Sequence, residues 1–150
     1  MNTVVKQKFG LTELEQVRLC AIAMGLNFHE VSHNDPERTI RLMYIPGNQL
    51  CTPGYDCFWP IKNDVQAMAI AKRFVLKLDL FAGAAELPFP RTNDMGNESN
   101  YTAFSDVSIN YSIVECIAEM QLHSPVKPEE YKIDDAAIDL AAAGGVIVKY

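Results

Sequence analysis

The spacing of apolar residues predicts a first amphipathic helix over residues 12–25. Thr12 and Glu15 have the spacing of a capping box, in which each side chain accepts a hydrogen bond from the other residue's amide. Gly25 is a natural C-terminal stop, because glycine readily adopts the left-handed conformation that ends many helices. The apolar residues that recur on one face are Leu14, Val17, Ala21 and Met24.

A second helix is predicted from the cap residue Asn63 to about Leu78. Gln66 lies three residues after the cap, in the reciprocal position of a capping box. Two apolar rows run along this segment, which indicates that the helix packs on more than one side. The first row is Val65, Met68, Ala71, Val75 and Leu78, and the second is Ala67, Ile70 and Phe74.

The third predicted helix runs from the cap residue Ser108 to about Leu122. His123 near its end suits the helix dipole, and Pro125 blocks continuation. The residues that we expect to face inward are Ile109, Ile113, Cys116, Ile117 and Met120.

Short strands are predicted between these helices. Residues 39–45 alternate apolar and polar side chains, as a half-buried strand does. Residues 79–87 predict a strand weakened by a glycine, and residues 101–104 predict another short strand. The polar segments 27–38 and 88–100 have the composition of loops, and we expect the second to be mobile.

The order of elements predicts a single α+β domain over residues 1–150. We expect a small antiparallel or mixed sheet layered with about three main helices, as in an α-β-α sandwich. A short Ala-rich helix after Asp134-Asp135 and a strand over 146–150 are predicted as a C-terminal addition.

Three segments resemble a known family, the small phage proteins with an ABA-sandwich domain. Its first helix looks like the segment that begins at Leu11–Glu15 and ends near Met24-Gly25. Its extended piece before an Ala-rich helix looks like Trp59–Met68, and its last strand and helix look like 101–104 and 111–120. The likeness covers about residues 11–122, whereas the extension over 125–150 departs from it.

The resemblance implies a phage accessory protein that acts by binding in the cytoplasm of the host cell. Such a protein would antagonise host defence by sequestering a small nucleotide signal or by blocking a host protein. The family offers no site residues to transfer to this chain. A structural component of the virion is an alternative.

Composition narrows the classes of function. The chain has 150 residues, 49% of them hydrophobic, and a net charge of −6. Acidic balance argues against general nucleic-acid binding, which needs clustered cations. No apolar run approaches the ~20 residues of a membrane span, so we expect no membrane association and a cytoplasmic protein. We also expect no cofactor, and a homo-oligomer, because the strand over 146–148 can pair with an edge of another subunit.

The string His29-Glu30-Val31-Ser32-His33 raises a rival hypothesis, a zinc-dependent hydrolase. On a helix, both histidines would bind zinc and Glu30 would act as the general base on a metal-bound water. The loop residues around the string leave room for about two helical turns at most. A polar loop is the alternative interpretation. The possible third ligands, Glu37, Glu86, Glu98 and His123, have no supporting context.

Four residues are candidates for contact with a ligand or partner. Tyr55 and Trp59 supply aromatic surface, although Trp59 also fits a core position beside Phe58. Arg41 could join a basic patch, and Arg91 lies in the loop over 88–100. The other members of that patch would be Lys62, Lys72 and Arg73, which also fit an ordinary solvated face.

Overall fold

The computed structural model describes residues 10–43 and 56–127, and within these ranges the chain has an α+β fold. The three helices of these ranges are α1 (Glu13–Ala23), α2 (Asp64–Arg73) and α3 (Ile109–His123), and a short 3-10 helix spans Pro36–Arg38. The strands are β1 (Phe28–Glu30), β2 (Ile40–Leu42), β3 (Lys77–Asp79), β4 (Ala84–Glu86), β5 (Arg91–Thr92), β6 (Glu98–Ser99) and β7 (Thr102–Phe104). The predicted fold class, with about three main helices, is therefore confirmed.

All strand pairs of the described ranges are antiparallel. Strands β1 and β2 form a two-stranded ladder, and β5 and β6 form another. Strands β3, β4 and β7 form a three-stranded sheet in that order.

Helix α3 is the centre of the core. It packs against α1, α2 and the three-stranded sheet, whereas α1 and α2 hardly touch that sheet. In the described part of the chain the sheet packs mainly on α3. The small residues Ala85 and Ala103 allow this close packing. The predicted inward residues of α3 that are fully buried are Ile113, Cys116, Ile117 and Met120.

Helix α1 begins and ends as predicted. The amide of Thr12 donates to the Glu15 carboxylate (2.9 Å), and the amide of Glu15 donates to the Thr12 hydroxyl (3.1 Å). Gly25 has φ +69°, and the amides of Gly25 and Leu26 donate to carbonyls of the last turn at 3.0 and 3.1 Å. This pair of bonds is the Schellman pattern.

Helix α2 begins at the predicted cap but ends earlier than predicted. The Asn63 side chain accepts from the Gln66 amide at 3.1 Å. The predicted end near Leu78 is wrong, because Val75 takes φ +54° and turns the chain out of the helix. The amides of Val75 and Leu76 bond back to the last turn at 3.3 and 2.9 Å, which is again the Schellman pattern.

One of the two predicted apolar rows on α2 faces the core. Ala67, Ile70 and Phe74 are buried, so that row is confirmed. In the other row, Ala71 is buried and Leu78 packs against the core, but the exposed fractions of Val65, Met68 and Val75 are 43%, 37% and 45%, so the predicted burial is wrong for these three. Helix α2 thus packs on one side only, and the three exposed residues lie away from α3.

The segments predicted as loops contain short strands. Residues 27–38 include β1, and residues 88–100 include the β5–β6 hairpin.

The single strand predicted over 79–87 is instead the β4 half of the β3–β4 hairpin, with Gly83 in its turn. Gly83 has φ +68°, and a Cβ there would lie 2.2 Å from the Ser105 carbonyl oxygen. The chain needs glycine at this position for both conformation and space.

The predicted strands at 39–45 and 101–104 are confirmed over β2 and β7. The predicted C-terminal helix and strand, and with them the predicted basis for a homo-oligomer, lie outside the described residues. Within the ranges that the structure covers, no helix combines the length and apolar character needed to cross a bilayer.

Candidate functional site

The His29–His33 string does not form the helix that a zinc peptidase motif needs. His29 and Glu30 are successive residues of β1, so their side chains leave the strand on opposite sides. Glu30 instead accepts two hydrogen bonds from Arg18, at 2.6 and 2.9 Å, and these bonds lower the pKa of its carboxyl. His33 Nδ1 accepts from the Asp35 amide at 2.9 Å. Pairing with β2 therefore leaves Glu30 as an ion-pair partner that joins β1 to α1.

The possible third ligands are not gathered around this string. Glu37 accepts a hydrogen bond from Lys62 at 2.7 Å. Glu86 lies on β4, Glu98 on β6, and His123 ends α3. Among the described residues, no group of three or more His, Cys, Asp or Glu side chains has an arrangement that could hold a metal ion. The geometry gives the zinc hydrolase hypothesis no support.

Trp59 lies in the core rather than on the surface. Its exposed fraction is 3%, and Phe58 is completely buried. The Trp59 amide donates to the Gln66 side-chain oxygen at 2.8 Å, and the Gln66 side-chain nitrogen donates to the Cys57 carbonyl at 3.0 Å. The core interpretation of Trp59 is confirmed, so its ring is not available to a partner. Tyr55 lies outside the described residues.

Arg41 has an acidic partner next to it in space. Its Nε donates to Asp56 Oδ1 at 2.6 Å, and this bond raises the pKa of the guanidinium. Lys62, another member of the predicted basic patch, is paired with Glu37. Arg41 and Lys62 are thus balanced by carboxylates, which weakens the attraction of the predicted patch for an anion.

Arg91 is the candidate that lies in a cleft. The cleft, which we call the α3-end cleft, has a volume of about 750 Å³ and separates the β5–β6 hairpin from the end of α3. Its lining residues are Pro90, Arg91, Thr92, Asn93, Asp94, His123, Ser124, Pro125 and Lys127.

Arg91 fastens β5 to the end of α3. Its guanidinium donates to the Ser124 carbonyl at 3.1 and 3.3 Å and to the Pro125 carbonyl at 3.2 Å. The last carbonyls of a helix lack partners within the helix and carry its negative dipole end, so a cation is favourable there. The Tyr101 and Ser124 hydroxyls lie 2.6 Å apart and form a further hydrogen bond at the end of α3. Hydrogen bonds therefore order the side of the cleft that the end of α3 forms.

The hairpin wall of the cleft is ordered by Asn93. Its side-chain oxygen accepts from the amides of Met95 (2.9 Å) and Asn97 (3.0 Å), and its nitrogen donates to the Ser99 hydroxyl (2.8 Å). These bonds fix the turn that presents Asp94. Asp94 Oδ2 lies 3.8 Å from His123 Nδ1 across the cleft.

The cleft has a local charge opposite to that of the chain. Among the described lining residues, Arg91 and Lys127 are cations, His123 adds a third positive charge when protonated, and Asp94 is the acid. The whole chain has a net charge of −6. A cleft with this balance favours an anionic ligand over a cationic one.

Sequence reasoning found Arg91 but missed its neighbours Asn93, Asp94 and Lys127 as site residues. His123 was considered for its place at a helix end and as a possible zinc ligand, without any link to Arg91. The hydrogen bonds from Arg91 reach 33 and 34 residues along the chain. No local pattern predicts such a contact.

No protein-family model, curated protein or solved structure matches this chain. The resemblance to small phage proteins therefore stays a prediction from the sequence. The candidate site rests on the geometry of the cleft.

Proposed function

We propose that this protein is a phage accessory protein that acts by binding, and that its α3-end cleft takes a small anionic ligand of the nucleotide class. The observation that supports the proposal is the placement of Arg91, His123 and Lys127 around one cleft of an acidic chain. Phosphate oxygens accept short, charge-assisted hydrogen bonds from such side chains. The resemblance to small phage proteins adds the biological setting, which is sequestration of a host nucleotide signal.

The size of the cleft is compatible with such a ligand. A volume of about 750 Å³ lies within the range of roughly 300–1,000 Å³ for small-molecule sites. Arg91 keeps its positive charge while it bonds to the Ser124 and Pro125 carbonyls, so its field still acts on the cleft. The fixed hairpin turn and helix end reduce the cost of ordering the site when the ligand binds.

Isothermal titration calorimetry with purified protein tests this proposal. The probes are a nucleoside triphosphate, a cyclic dinucleotide and inorganic phosphate, each at low and at physiological salt. We expect one of the nucleotides to bind with a Kd in the micromolar range, about −8 kcal/mol, and more weakly as salt rises. Lys127→Gln should weaken that binding by about tenfold, which is the loss of one charge-assisted hydrogen bond.

A matched charge control separates the cleft from general electrostatics. Arg38→Gln removes one positive charge from an exposed side chain of the 3-10 helix. It should leave the Kd unchanged. Equal weakening by Lys127→Gln and Arg38→Gln, or no heat from either nucleotide at millimolar concentration, would contradict the proposal.

A further inference from the structure

Among the residues that the structure describes, strand β7 is an edge of the three-stranded sheet. The carbonyl of Tyr101 and the amide of Ser105 take part in the ladder on the β4 side, at 2.9 and 3.0 Å. Main-chain groups alternate along an antiparallel strand between the two neighbours. The amides and carbonyls of Thr102 and Phe104 therefore point away from β4, where an added strand would pair with them.

Large apolar side chains are exposed at the same end of the sheet. Phe81 is fully exposed at the turn of the β3–β4 hairpin, and Phe104 is 62% exposed. The two segments meet because the Ser105 amide donates to the Gly83 carbonyl. We call this surface the hairpin-end patch. Its members are Leu80, Phe81, Phe104 and Val107.

The charges around the hairpin-end patch are mainly negative. Asp79 and Glu86 lie on the face of the sheet that holds Phe104, because the register pairs Asp79 with Ala84 and Ala84 with Phe104. Asp106 follows Phe104 by two residues. Of the described residues on this sheet face, Lys77 is a cation and pairs with Glu86 in the register. An occupant of this surface should therefore combine apolar and basic side chains.

We propose that an extended segment of another protein, with alternating aliphatic and basic side chains, adds as a strand beside β7. Its main chain bonds to Thr102 and Phe104, an aliphatic side chain covers Phe104, and basic side chains face the surrounding acids. This is strand addition, in which main-chain bonds give affinity and side-chain pockets give specificity. A second copy of this chain fits less well, because each copy has a net charge of −6. The surface is independent of the α3-end cleft.

Nuclear magnetic resonance titration of the full chain with a short capped peptide of alternating lysine and valine tests this inference. We expect the amide signals of Thr102 and Phe104 to shift and their hydrogen exchange to slow. A matched peptide of alternating glutamate and valine should not bind, because its charges oppose those of the surface.

Thr102→Pro is the sharpest variant for this test. Proline removes the outward amide of Thr102 but leaves the bonds to β4 intact, and edge strands tolerate it. We expect peptide affinity to fall by about tenfold or more through loss of a main-chain hydrogen bond and its geometry. Phe104→Ser, which keeps the main chain, is a second variant with the same expected direction. Leu122→Ser, on the 37%-exposed Leu122 of α3, is the control and should leave affinity unchanged.

Three results would overturn the inference. The first is peptide binding that Thr102→Pro and Phe104→Ser leave unchanged. The second is a dimer seen by light scattering that Thr102→Pro dissociates, since a second copy would then be the occupant. The third is slow exchange at Thr102 and Phe104 in the free chain that Ile147→Pro abolishes, since the chain's own C-terminal segment would then hold the edge.

Discussion

Helices α1 and α2 end with the same hydrogen bonds but with different residues. Gly25 occupies the left-handed position after α1, and Val75 occupies it after α2. A β-branched residue is rare there, because its Cβ crowds the following carbonyl. The buried Phe74 and the half-buried Leu76 on either side of Val75 hold the turn in place. Local chemistry thus specifies the end of α1, whereas tertiary packing imposes the end of α2.

The starts of the two helices differ in the same way. At α1, Thr12 and Glu15 complete a reciprocal capping box. At α2, Asn63 caps the Gln66 amide, but the Gln66 side chain turns to Trp59 and Cys57. The Gln66 side chain has therefore exchanged a bond within the cap for two bonds to the backbone of the segment just before α2.

The largest expected effect is that of Gln66→Ala. It leaves a buried amide and carbonyl without their partner, so we expect the free energy of unfolding to fall by about 2–4 kcal/mol. Urea denaturation followed by circular dichroism measures it. The control is Gln16→Ala in α1, where a buried glutamine makes one long bond of 3.4 Å to a carbonyl. Equal losses in the two variants would show that the Gln66 bonds contribute little.

Gly25→Val tests whether local chemistry holds the end of α1. The substituted side chain has open space around it, since no atom lies within 4 Å of a Cβ there. The cost is therefore conformational, about 1–2 kcal/mol in the free energy of unfolding. Gly25→Asn is the control, because asparagine tolerates the left-handed region better. A neutral Gly25→Val would mean that packing also imposes this turn.

Val75→Gly is the converse change and should stabilise the protein. Relief of the left-handed strain, about 1–2 kcal/mol, exceeds the entropy cost of glycine, about 0.5–1 kcal/mol. The midpoint of thermal unfolding should rise by a few degrees. Val65→Gly is the matched control, since Val65 has a similar exposed fraction but lies within α2. It should lower the midpoint, and a loss in both variants would argue against strain at Val75.

The smallest expected effect is on the pH dependence of stability, through Glu15. Hydrogen bonds from the Thr12 amide and hydroxyl lower the pKa of Glu15 in the folded state. The pKa of Glu15 is lower in the folded state than in the unfolded state. The capping box therefore contributes its full stabilisation at pH values above the unfolded-state pKa, about 4.3. This contribution disappears as the pH falls through the folded value. In the Glu15→Gln variant, the free energy of unfolding should therefore fall less steeply with decreasing pH below about pH 5. Urea denaturation at several pH values measures this dependence.

Gln66, in the equivalent position of α2, carries no proton to lose at any of these pH values. Gln66→Ala should thus lower stability by a similar amount at neutral and at mildly acidic pH. A strong pH dependence of that difference would place a titrating group in the network around Trp59.

The sequence predicted the fold class, the three helix starts and two strands correctly. Each of those starts has a cap residue with a local reason to be there, as Ser108 has for α3. The end of α2 was missed because Val75 fits the apolar spacing of a longer helix and no glycine marks the turn. The β5–β6 hairpin was missed because its strands are two residues long and its composition is that of a loop.

The candidate site was predicted less well than the fold. Arg91 was selected, but Trp59 proved to be a core residue, and Arg41 proved to be paired with Asp56. The α3-end cleft depends on contacts between residues about 30 positions apart, such as those of Arg91 with Ser124. Apolar periodicity predicts which residues are buried, but it does not predict which polar residues meet at the surface.

The burial of Trp59 has a practical consequence for spectroscopy. It is the single tryptophan of the chain, and its indole ring is surrounded by core residues. Its fluorescence should therefore be blue-shifted in the native state and should move to longer wavelength when the core opens. Because the α3-end cleft is lined by other residues, a ligand bound there should leave the emission wavelength unchanged. The emission wavelength thus reports unfolding and does not respond to ligand binding in the cleft.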